Sequence, residues 1–334
     1  MTAAPLISVR NLTKHFPAPG GIFRRKVGAL QAVDAVSFDV QGGETLGIVG
    51  ESGCGKSTTA RLLMRLTEPD AGEVIFAGET LGAADGPSLR ALRRRMQMVF
   101  QDSYASLNPR LPVEMSVAYG PFAHGVRRKE ALERAAMLLE AVGLDPRLFA
   151  GRYPHELSGG QRQRVNIARA LAIEPRVVIL DEAVSALDKS VAAQVLNLLV
   201  ELKERFQLTY LFISHDLSVI RYLSDRVMVM YLGKVVEVGP VAELWANPRH
   251  PYTRALLAAM PTMDPSKRTT EALLSGDPPN PIDPPSGCRF RTRCRFVEEV
   301  CAQREPPLLA LPDATDHEVA CHIFAPGTGH SLAG

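Results

Sequence analysis

The chain has 334 residues, enough for one large domain with an appendage or for two small domains. Its composition, 46% hydrophobic and 22% charged with a formal net charge of +2, excludes a disordered or fibrous protein and does not by itself indicate nucleic-acid binding. No apolar run approaches the roughly 20 residues of a membrane helix. Residues 1–16 lack the basic-then-apolar layout of a signal peptide, so we expect a protein that works in the cytoplasm.

Strand-like and helix-like segments alternate up to about residue 245. Short apolar segments predict these strands: Thr45–Val49, Val177–Leu180, Tyr210–Ile213, Arg226–Tyr231 and Lys234–Val238. Apolar residues recur at helical spacing from Leu132 to Val142 and again from Val191 to Phe206. The alternation indicates an α/β protein with a parallel sheet, and the last two strands are predicted to form a hairpin broken at Gly233.

The phosphate-binding pattern G-x-x-x-x-G-K-[ST] lies directly after the first predicted strand, and a helix-compatible stretch, Thr58–Leu66, follows it. Glycines in such a loop let backbone N–H groups surround phosphate oxygens, and the helix N-terminus adds a favourable partial charge. We expect Lys56 to reach the β- and γ-phosphates and the Ser57 hydroxyl to bind Mg²⁺. The residues predicted to bind ATP here are Gly50, Glu51, Ser52, Gly53, Cys54, Gly55, Lys56, Ser57 and Thr58.

Two carboxylates, Asp181 and Glu182, follow the strand Val177–Leu180. Ligands of parallel α/β sheets bind at the carboxyl ends of strands, so Asp181 is expected to face the Mg²⁺ and Glu182 to polarise an attacking water. An acidic pair can also be no more than a solvated strand end. The phosphate-binding pattern upstream favours the catalytic role.

Further motifs appear in a fixed order along the chain. Gln101 ends the segment Met98–Gln101, Leu157–Gln161 reads LSGGQ and precedes a predicted helix over 162–172, Ser185–Asp188 reads SALD, and His215 follows the strand that ends at Ile213. With the phosphate loop, these motifs resemble those of the ATP-binding-cassette (ABC) ATPases over roughly residues 6–245. The resemblance implies a P-loop ATPase core with a RecA-like parallel sheet, an antiparallel β part and a helical subdomain.

By this resemblance the ATPase domain spans residues 1–245, with its helical subdomain at about 101–170, and a Pro/Cys-rich C-terminal region spans 246–334. Glu182, His215 and Gln101 take the catalytic roles, and Gln101 joins Ser57 and Asp181 as a Mg²⁺ ligand. Two ATPase domains of this family bind nucleotide between them, head to tail. The signature residues that act on the partner's ATP are Ser158, Gly159, Gly160 and Gln161, and Asp188 belongs to the D-loop.

Two details qualify the resemblance. Phe16 is placed like the aromatic residue that stacks on adenine, although an aromatic near an N-terminal strand can equally be a core residue. Many members of the family have Pro-Thr after the catalytic glutamate, whereas Ala183 and Val184 follow Glu182 here. Both residues lie outside the chemistry, so a competent ATPase is expected.

Three segments resemble the branch of the family that imports peptides, nickel and opines: Gln101–Arg110, Asn247–Thr253 and the proline- and cysteine-rich tail. The implied function is ATP-driven import of short peptides or a related solute at the cytoplasmic face of the membrane. The implied partners are a second ABC ATPase subunit (a copy or a paralogue), two transmembrane permeases and an extracytoplasmic solute-binding protein, with no nucleic acid. A permease would dock on the segment after Gln101. The alternative is a soluble ABC ATPase of translation or DNA repair, a class that usually carries two cassettes or a coiled-coil insertion.

Four of the five cysteines, Cys288, Cys294, Cys301 and Cys321, fall in the last 47 residues. In a reducing compartment such a cluster indicates a metal site more than disulfides. The gaps are wider than those of zinc ribbons and differ from the bacterial ferredoxin pattern, so a [4Fe–4S] cluster, tetrahedral Zn²⁺ and free buried thiols all stay open. Some relatives in this branch carry such a cluster. The interleaved arginines are expected either to offset thiolate charge or to form a solvated basic strip: Arg289, Arg291, Arg293 and Arg295.

Overall fold

The computed structural model describes residues 4–17, 28–81, 88–260, 276–311 and 314–333. The chain divides into two compact units. The first unit comprises Met1–Leu6, Val40–Thr45 and Ala77–Asp216. The second unit comprises Ile7–Asp39, Leu46–Phe76 and Leu217–Gly334.

Strands and helices alternate along most of the described chain. The strands are β1 Ile7–Pro17, β2 Ala29–Val40, β3 Thr45–Val49, β4 Ala71–Phe76, β5 Glu79–Thr80, β6 Met96–Val99, β7 Val177–Asp181, β8 Thr209–Ile213, β9 Arg226–Tyr231, β10 Lys234–Pro240, β11 Leu309–Leu311 and β12 Ala314–Val319. The helices are α1 Lys56–Leu63, α2 Leu89–Arg95, α3 Val113–Ala123, α4 Arg128–Ala141, α5 Pro146–Phe149, α6 Gly159–Leu171, α7 Lys189–Phe206, α8 Leu217–Leu223, α9 Val241–Ala246, α10 Pro251–Ala258 and α11 Glu299–Gln303. Short 3₁₀ turns occupy Pro154–Glu156 and His322–Phe324.

Three neighbouring strands of the first unit run parallel to one another. β6 pairs with β7, and β7 pairs with β8, with Val177 opposite both Met96 and Thr209. Every residue of β7 and β8 is buried, which explains why these strands are continuously apolar and do not alternate. Helices α3, α4 and α6 pack on one another in the same unit. The predicted parallel sheet and the helical part are thereby confirmed.

The second unit contains both parallel and antiparallel pairing. β3 runs parallel to β9, and β9 and β10 form the predicted antiparallel hairpin. Its tight turn places Leu232 and Gly233 at positive φ (44° and 79°), a conformation that glycine adopts without strain. A separate antiparallel sheet contains β4 next to β1 and β1 next to β2.

The C-terminal residues extend this unit with strands that the sequence analysis did not predict. β12 pairs antiparallel with β10, with Glu237 opposite Val319, and β11 pairs with β12. A small apolar cluster of Leu311, Val319 and Cys321 accompanies the pairing. Among the described residues no helix combines the length and apolar character needed to cross a bilayer.

Candidate functional site

The phosphate loop lies in the second unit, between the buried strand β3 and helix α1. Gly50 and Gly55 have φ angles of 148° and 108°, in a region that L-residues rarely adopt. A Cβ atom at Gly50 would clash with the Met230 carbonyl oxygen, and one at Gly55 with that of Ala32. The glycine pattern is therefore required by the fold of the loop itself.

Lys56 begins α1 and is only 5% exposed. Its Nζ donates hydrogen bonds to the carbonyl oxygens of Gly50 (2.7 Å) and Glu51 (3.0 Å), so the ammonium group is held by the loop backbone. The Cys54 thiol is buried in the same loop, and that burial raises its pKa although the nearby Lys56 charge opposes the shift. Lys56 thus places a positive charge beside the backbone of this loop, as phosphate binding requires.

Glu51 has two further partners that the sequence analysis did not identify. Its backbone N–H donates to the Tyr252 hydroxyl at 2.9 Å, and its carboxylate pairs with the Arg293 guanidinium at 2.9 and 3.2 Å. Both partners lie in the C-terminal part of the chain. The available signals were the Asn247–Thr253 segment and the interleaved arginines, which the sequence analysis interpreted in other ways.

The predicted catalytic residues of the first unit meet at Glu182. Gln101 Nε2 donates to Glu182 Oε2 at 2.9 Å, and His215 Nδ1 lies 3.4 Å from Glu182 Oε1. The Glu182 side chain is 18% exposed, so its carboxylate is accessible but largely enclosed. The structure therefore brings these three predicted residues together around one carboxylate, an arrangement suited to orienting a water molecule.

The backbone at Glu182 is strained. Its φ of 48° lies in the left-handed region, which costs a non-glycine residue about 1 kcal/mol or more. Hydrogen bonds from the Glu182 N–H to the Ile213 carbonyl (3.0 Å) and from the Ser185 hydroxyl to the Glu182 carbonyl (2.9 Å) hold this conformation. The preceding Asp181 ends β7 and is buried, 4% exposed. The buried Asp181 and the left-handed Glu182 thus follow one another at the end of this strand.

The signature segment forms the N-terminus of α6. Ser158 is the N-cap residue: its Oγ accepts from the Gln161 N–H at 3.3 Å, and Gln161 Oε1 accepts from the Ser158 N–H at 2.9 Å. This reciprocal pair is a capping box. A Cβ at Gly160 would clash with Val191 Cγ1 of α7, whereas one at Gly159 would make an ordinary 3.5 Å contact with Leu187. Ser158 and Gln161 therefore cap α6, and Gly160 permits α6 to pack closely against α7.

Two predicted site residues, Asp188 and Phe16, make no contact described above with the phosphate loop, with Glu182 or with the N-terminus of α6. Asp188 is the N-cap position of α7, but its side chain makes no capping hydrogen bond. Phe16 lies on β1, half-buried, with Lys14 Nζ 5.6 Å from its ring centroid. The stacking role of Phe16 and the D-loop role of Asp188 stay predictions.

The four C-terminal cysteines line one small cavity of the second unit together with histidine and phenylalanine side chains. All four are free thiols. Burial raises the pKa of Cys288 to about 12 and that of Cys321 to about 11, and the neighbouring cysteines add to both shifts. The lone Cys54 lies in the phosphate loop and is not part of the cavity. The Cys288 and Cys321 thiols are consequently protonated at neutral pH.

The donor chemistry of this cavity suits a soft metal, because thiolates are the preferred ligands of zinc and iron–sulfur clusters. His322 adds a buried Nδ1 atom that has no hydrogen-bond partner among the described residues. In the part of the chain that the structure describes, however, no three or more His, Cys, Asp or Glu side chains are grouped closely enough to hold one metal ion. The cysteines share a cavity without forming a ligand set.

The interleaved arginines do not form the solvated strip that was one expectation. The Arg289 side chain is 9% exposed and binds the Asp34 carboxylate and the Leu232 carbonyl oxygen. The Arg293 side chain is 6% exposed and binds Glu51. Only Arg295 of the four is exposed, and it stacks over the Phe296 ring at 4.8 Å. The two buried arginines therefore pair with carboxylates of the N-terminal half of the chain.

Comparison with family models matches residues 33–185 to "ABC transporter" and residues 236–301 to "Oligopeptide/dipeptide transporter, C-terminal region". The first range contains the phosphate loop, the signature segment and Glu182. The second begins within β10 and contains Tyr252, Arg293 and three of the four cavity cysteines.

Similar proteins are found among curated sequences and solved structures. The chain is 51% identical over 330 residues to a probable peptide ABC transporter ATP-binding protein of Sinorhizobium fredii, covering 98% of this chain and 92% of that protein. It is 50% identical over 333 residues to an oligopeptide transport ATP-binding protein of Bacillus subtilis, covering 97% of this chain and all of that protein. A dimeric ATP-binding cassette solved in a post-hydrolysis state with ADP and Pi is 29% identical, with a TM-score of 0.61 over 70% of this chain and 98% of that one.

Proposed function

Because this chain belongs to the ATP-binding subunits of ABC transporters and is an ATPase of that family, we propose that it powers the import of short peptides or a related solute. The hydrogen bond from Gln101 to Glu182, with His215 Nδ1 3.4 Å from the same carboxylate, carries the enzymatic part of the proposal. The match of residues 236–301 to the oligopeptide/dipeptide region supports the solute class. The names of the two relatives, both peptide transport ATP-binding proteins, support it as well.

The proposed chemistry divides the site residues by what each side chain does. The phosphate loop, residues 50–58, binds the ATP phosphates, with Lys56 supplying the charge. Ser57, Asp181 and Gln101 are the residues that would hold Mg²⁺, which neutralises phosphate charge when bound. Glu182 accepts a proton from the attacking water, and His215 donates a hydrogen bond to the γ-phosphate or to that water. Phe16 stacks on the adenine.

We further propose that two ATPase subunits act together, head to tail. The helix α6 begins at Gly159 and presents backbone N–H groups and a positive dipole end, which favour an anion such as a γ-phosphate. Ser158 and Gln161 stabilise this helix end by capping it. Asp188 belongs to the same interface. The dimeric state of the solved cassette supports the pairing.

The remaining partners are two transmembrane permeases and an extracytoplasmic solute-binding protein, which place the subunit at the cytoplasmic face of the membrane. The segment Gln101–Arg110 is the proposed permease contact. It exposes Tyr104 (53%), and hydrogen bonds from Asn166 Nδ2 to the Ser103 carbonyl and from the Ser106 hydroxyl to Asn166 Oδ1 tie it to α6. Movement of this segment is thereby passed to the signature helix.

The proposal is tested by a tagged pull-down from detergent-solubilised membranes, with every co-purifying protein identified. Two multi-span permeases and a cassette ATPase are expected. Recovery with ribosomes or DNA-repair proteins and without a permease would contradict the transport function while leaving the ATPase intact. Uptake of labelled di- and oligopeptides in cells that lack the gene, complemented with wild type or with Glu182→Gln, then tests the solute class. Uptake that Glu182→Gln restores as well as wild type would contradict ATP-driven import.

We also propose that the four cavity cysteines bind a metal centre, with a [4Fe–4S] cluster ahead of Zn²⁺. The shared cavity, the free thiols and the unpartnered His322 Nδ1 support it, and the side chains would have to move closer together to ligate. Iron and zinc content of anaerobically purified protein is the test. Cys301→Ser is expected to lose the metal and Cys54→Ser, outside the cavity, to keep it. Wild-type protein without near-stoichiometric iron or zinc contradicts the proposal.

A further inference from the structure

Glu51, the second residue of the phosphate loop, is held at three of its groups. Its N–H donates to the Tyr252 hydroxyl, its carboxylate pairs with Arg293, and its carbonyl oxygen accepts from Lys56 Nζ at 3.0 Å. Tyr252 and Arg293 lie 201 and 242 positions away along the chain. The backbone around Glu51 is consequently restrained by residues from outside the loop.

Tyr252 is itself rigidly placed. His250 is the N-cap of α10, and its Nδ1 accepts from the Tyr252 N–H at 3.0 Å, while Pro251 occupies the first helical turn. The Glu237 carboxylate accepts the backbone N–H groups of Arg249 (2.7 Å) and His250 (2.9 Å). These contacts fix the start of the helix, and with it the direction in which the Tyr252 ring points.

Aromatic packing completes the support of Tyr252. Its ring lies 4.6 Å from that of Tyr231 and 5.5 Å from that of Phe290, measured between centroids, and the residue is fully buried. Aromatic rings carry few rotatable bonds, so such a cluster loses little entropy when it is ordered. The hydroxyl therefore reaches Glu51 from a fixed base.

Arg293 approaches the same residue from the cysteine-bearing segment. It lies between Cys288 and Cys294, and its side chain is 6% exposed against 23% for that of Glu51. A buried guanidinium that contacts both carboxylate oxygens fixes orientation as well as distance. Removing one partner would leave a poorly solvated charge, which makes the contact sensitive to substitution.

We propose that Tyr252 and Arg293 are positioning residues of the ATPase, which hold Glu51 so that its carbonyl keeps Lys56 in place for the nucleotide phosphates. Neither residue touches the nucleotide; both act through Glu51. Without them the loop has more conformations to lose on binding, so nucleotide affinity falls. This inference rests on the proposed assignment of the phosphate loop and does not depend on the transported solute.

The test measures dissociation constants of a fluorescent ATP analogue, and KM and kcat for ATP, with the purified full chain. Tyr252→Phe removes one hydroxyl and keeps the ring, and loss of one hydrogen bond predicts a Kd raised about fivefold. Arg293→Gln is expected to raise Kd by at least as much and Arg293→Lys by less. KM should rise with Kd while kcat changes little, because Glu182 is untouched.

Two control variants and a double variant separate positioning from general destabilisation. Tyr222→Phe and Arg295→Gln make the same chemical changes at exposed positions and should bind as wild type. Because Arg293 acts through Glu51, the Glu51→Gln/Arg293→Gln double variant should bind no more weakly than the single variants.

Unchanged Kd in both Tyr252→Phe and Arg293→Gln overturns the inference, as does a lowered melting temperature with a wild-type Kd. If Tyr252→Phe does not fold, Arg293→Lys and the double variant decide it by the same measurement. Lys56→Ala distinguishes failure of the phosphate-loop assignment from failure of the positioning role. Retained binding in that variant overturns the phosphate-loop assignment, whereas lost binding there with unchanged Kd in the other variants overturns positioning alone.

Discussion

Gln101 Nε2 and Glu182 Oε2 lie 2.9 Å apart, although 81 positions separate the two residues in the chain. The Gln101 amide orients one oxygen of the carboxylate, and His215 approaches the other. Each oxygen of a carboxylate held in this way still has a lone pair that can accept a proton from water.

Glu182→Gln is expected to reduce steady-state ATP hydrolysis by about 10²- to 10⁴-fold, the contribution typical of a general base. ATP binding should persist, because the amide keeps the size of the side chain. Phosphate release and nucleotide affinity are the measurements, and Glu201→Gln on the exposed side of α7 is the matched control. Undiminished turnover in Glu182→Gln would refute the assignment of the base.

Gly160→Ala is expected to destabilise the chain by about 1–3 kcal/mol, because the new methyl group meets Val191 Cγ1 in a packed interface. Gly159→Ala meets only an ordinary 3.5 Å contact and should fold like wild type. Urea denaturation gives both free energies of unfolding. Val191→Ala should restore stability to Gly160→Ala, and failure to do so would mean that the clash is not the cause.

The same pair of variants separates the proposed signature role of Gly159 from the packing role of Gly160. Gly159→Ala is expected to fold normally and yet to lose ATPase activity, because a methyl group would crowd the N-terminus of α6, which is the proposed site for the partner's phosphate. Wild-type turnover in Gly159→Ala would argue against the proposed head-to-tail site.

Acid is expected to destabilise the protein through His250. This residue is 1% exposed, and burial lowers its pKa to about 4, with Glu237 opposing the shift and Arg254 adding to it. Below pH 6.5 the unfolded chain binds a proton that the native chain does not, so stability falls as the pH drops from 6.5 towards 4. The loss between pH 7 and pH 5 should be about 2 kcal/mol.

His250→Asn isolates this contribution, because asparagine can cap α10 but does not titrate. Its free energy of unfolding, measured by urea denaturation between pH 7 and pH 5, should depend less steeply on pH than that of wild type. Equal slopes would show that His250 does not contribute to the acid sensitivity.

Asn166→Ala is expected to lower the free energy of unfolding by about 1–3 kcal/mol, because the variant loses two hydrogen bonds. The Asn166 side chain donates one to the Ser103 carbonyl and accepts the other from the Ser106 hydroxyl. In the assembled transporter the variant should also lower the stimulation of ATPase activity by solute, because the Gln101–Arg110 segment loses its connection to α6. Ser106→Ala, which removes one of the two bonds, should have an intermediate effect. Full stimulation in Asn166→Ala would contradict this connection.

Local sequence patterns were sufficient for the core elements. The phosphate loop, β3, β7, β8 and the β9–β10 hairpin were predicted with near-correct bounds, because buried strands and glycine turns depend on neighbouring residues. The site residues around Glu182 were identified by motif and resemblance. The domain boundaries, and the contact of the signature residues with ATP on the partner subunit, stay predictions.

The sequence by itself determined the type of the core elements and the ATPase motifs, since these depend on spacing within a few residues. Only the tertiary structure decided which distant residues support them. β12 pairs with β10 through backbone hydrogen bonds that leave little trace in side-chain pattern, and Tyr252 and Arg293 reach Glu51 across more than 200 positions. Contacts of that kind depend on how the whole chain packs, because the residues around each partner show no local sequence pattern that requires the other.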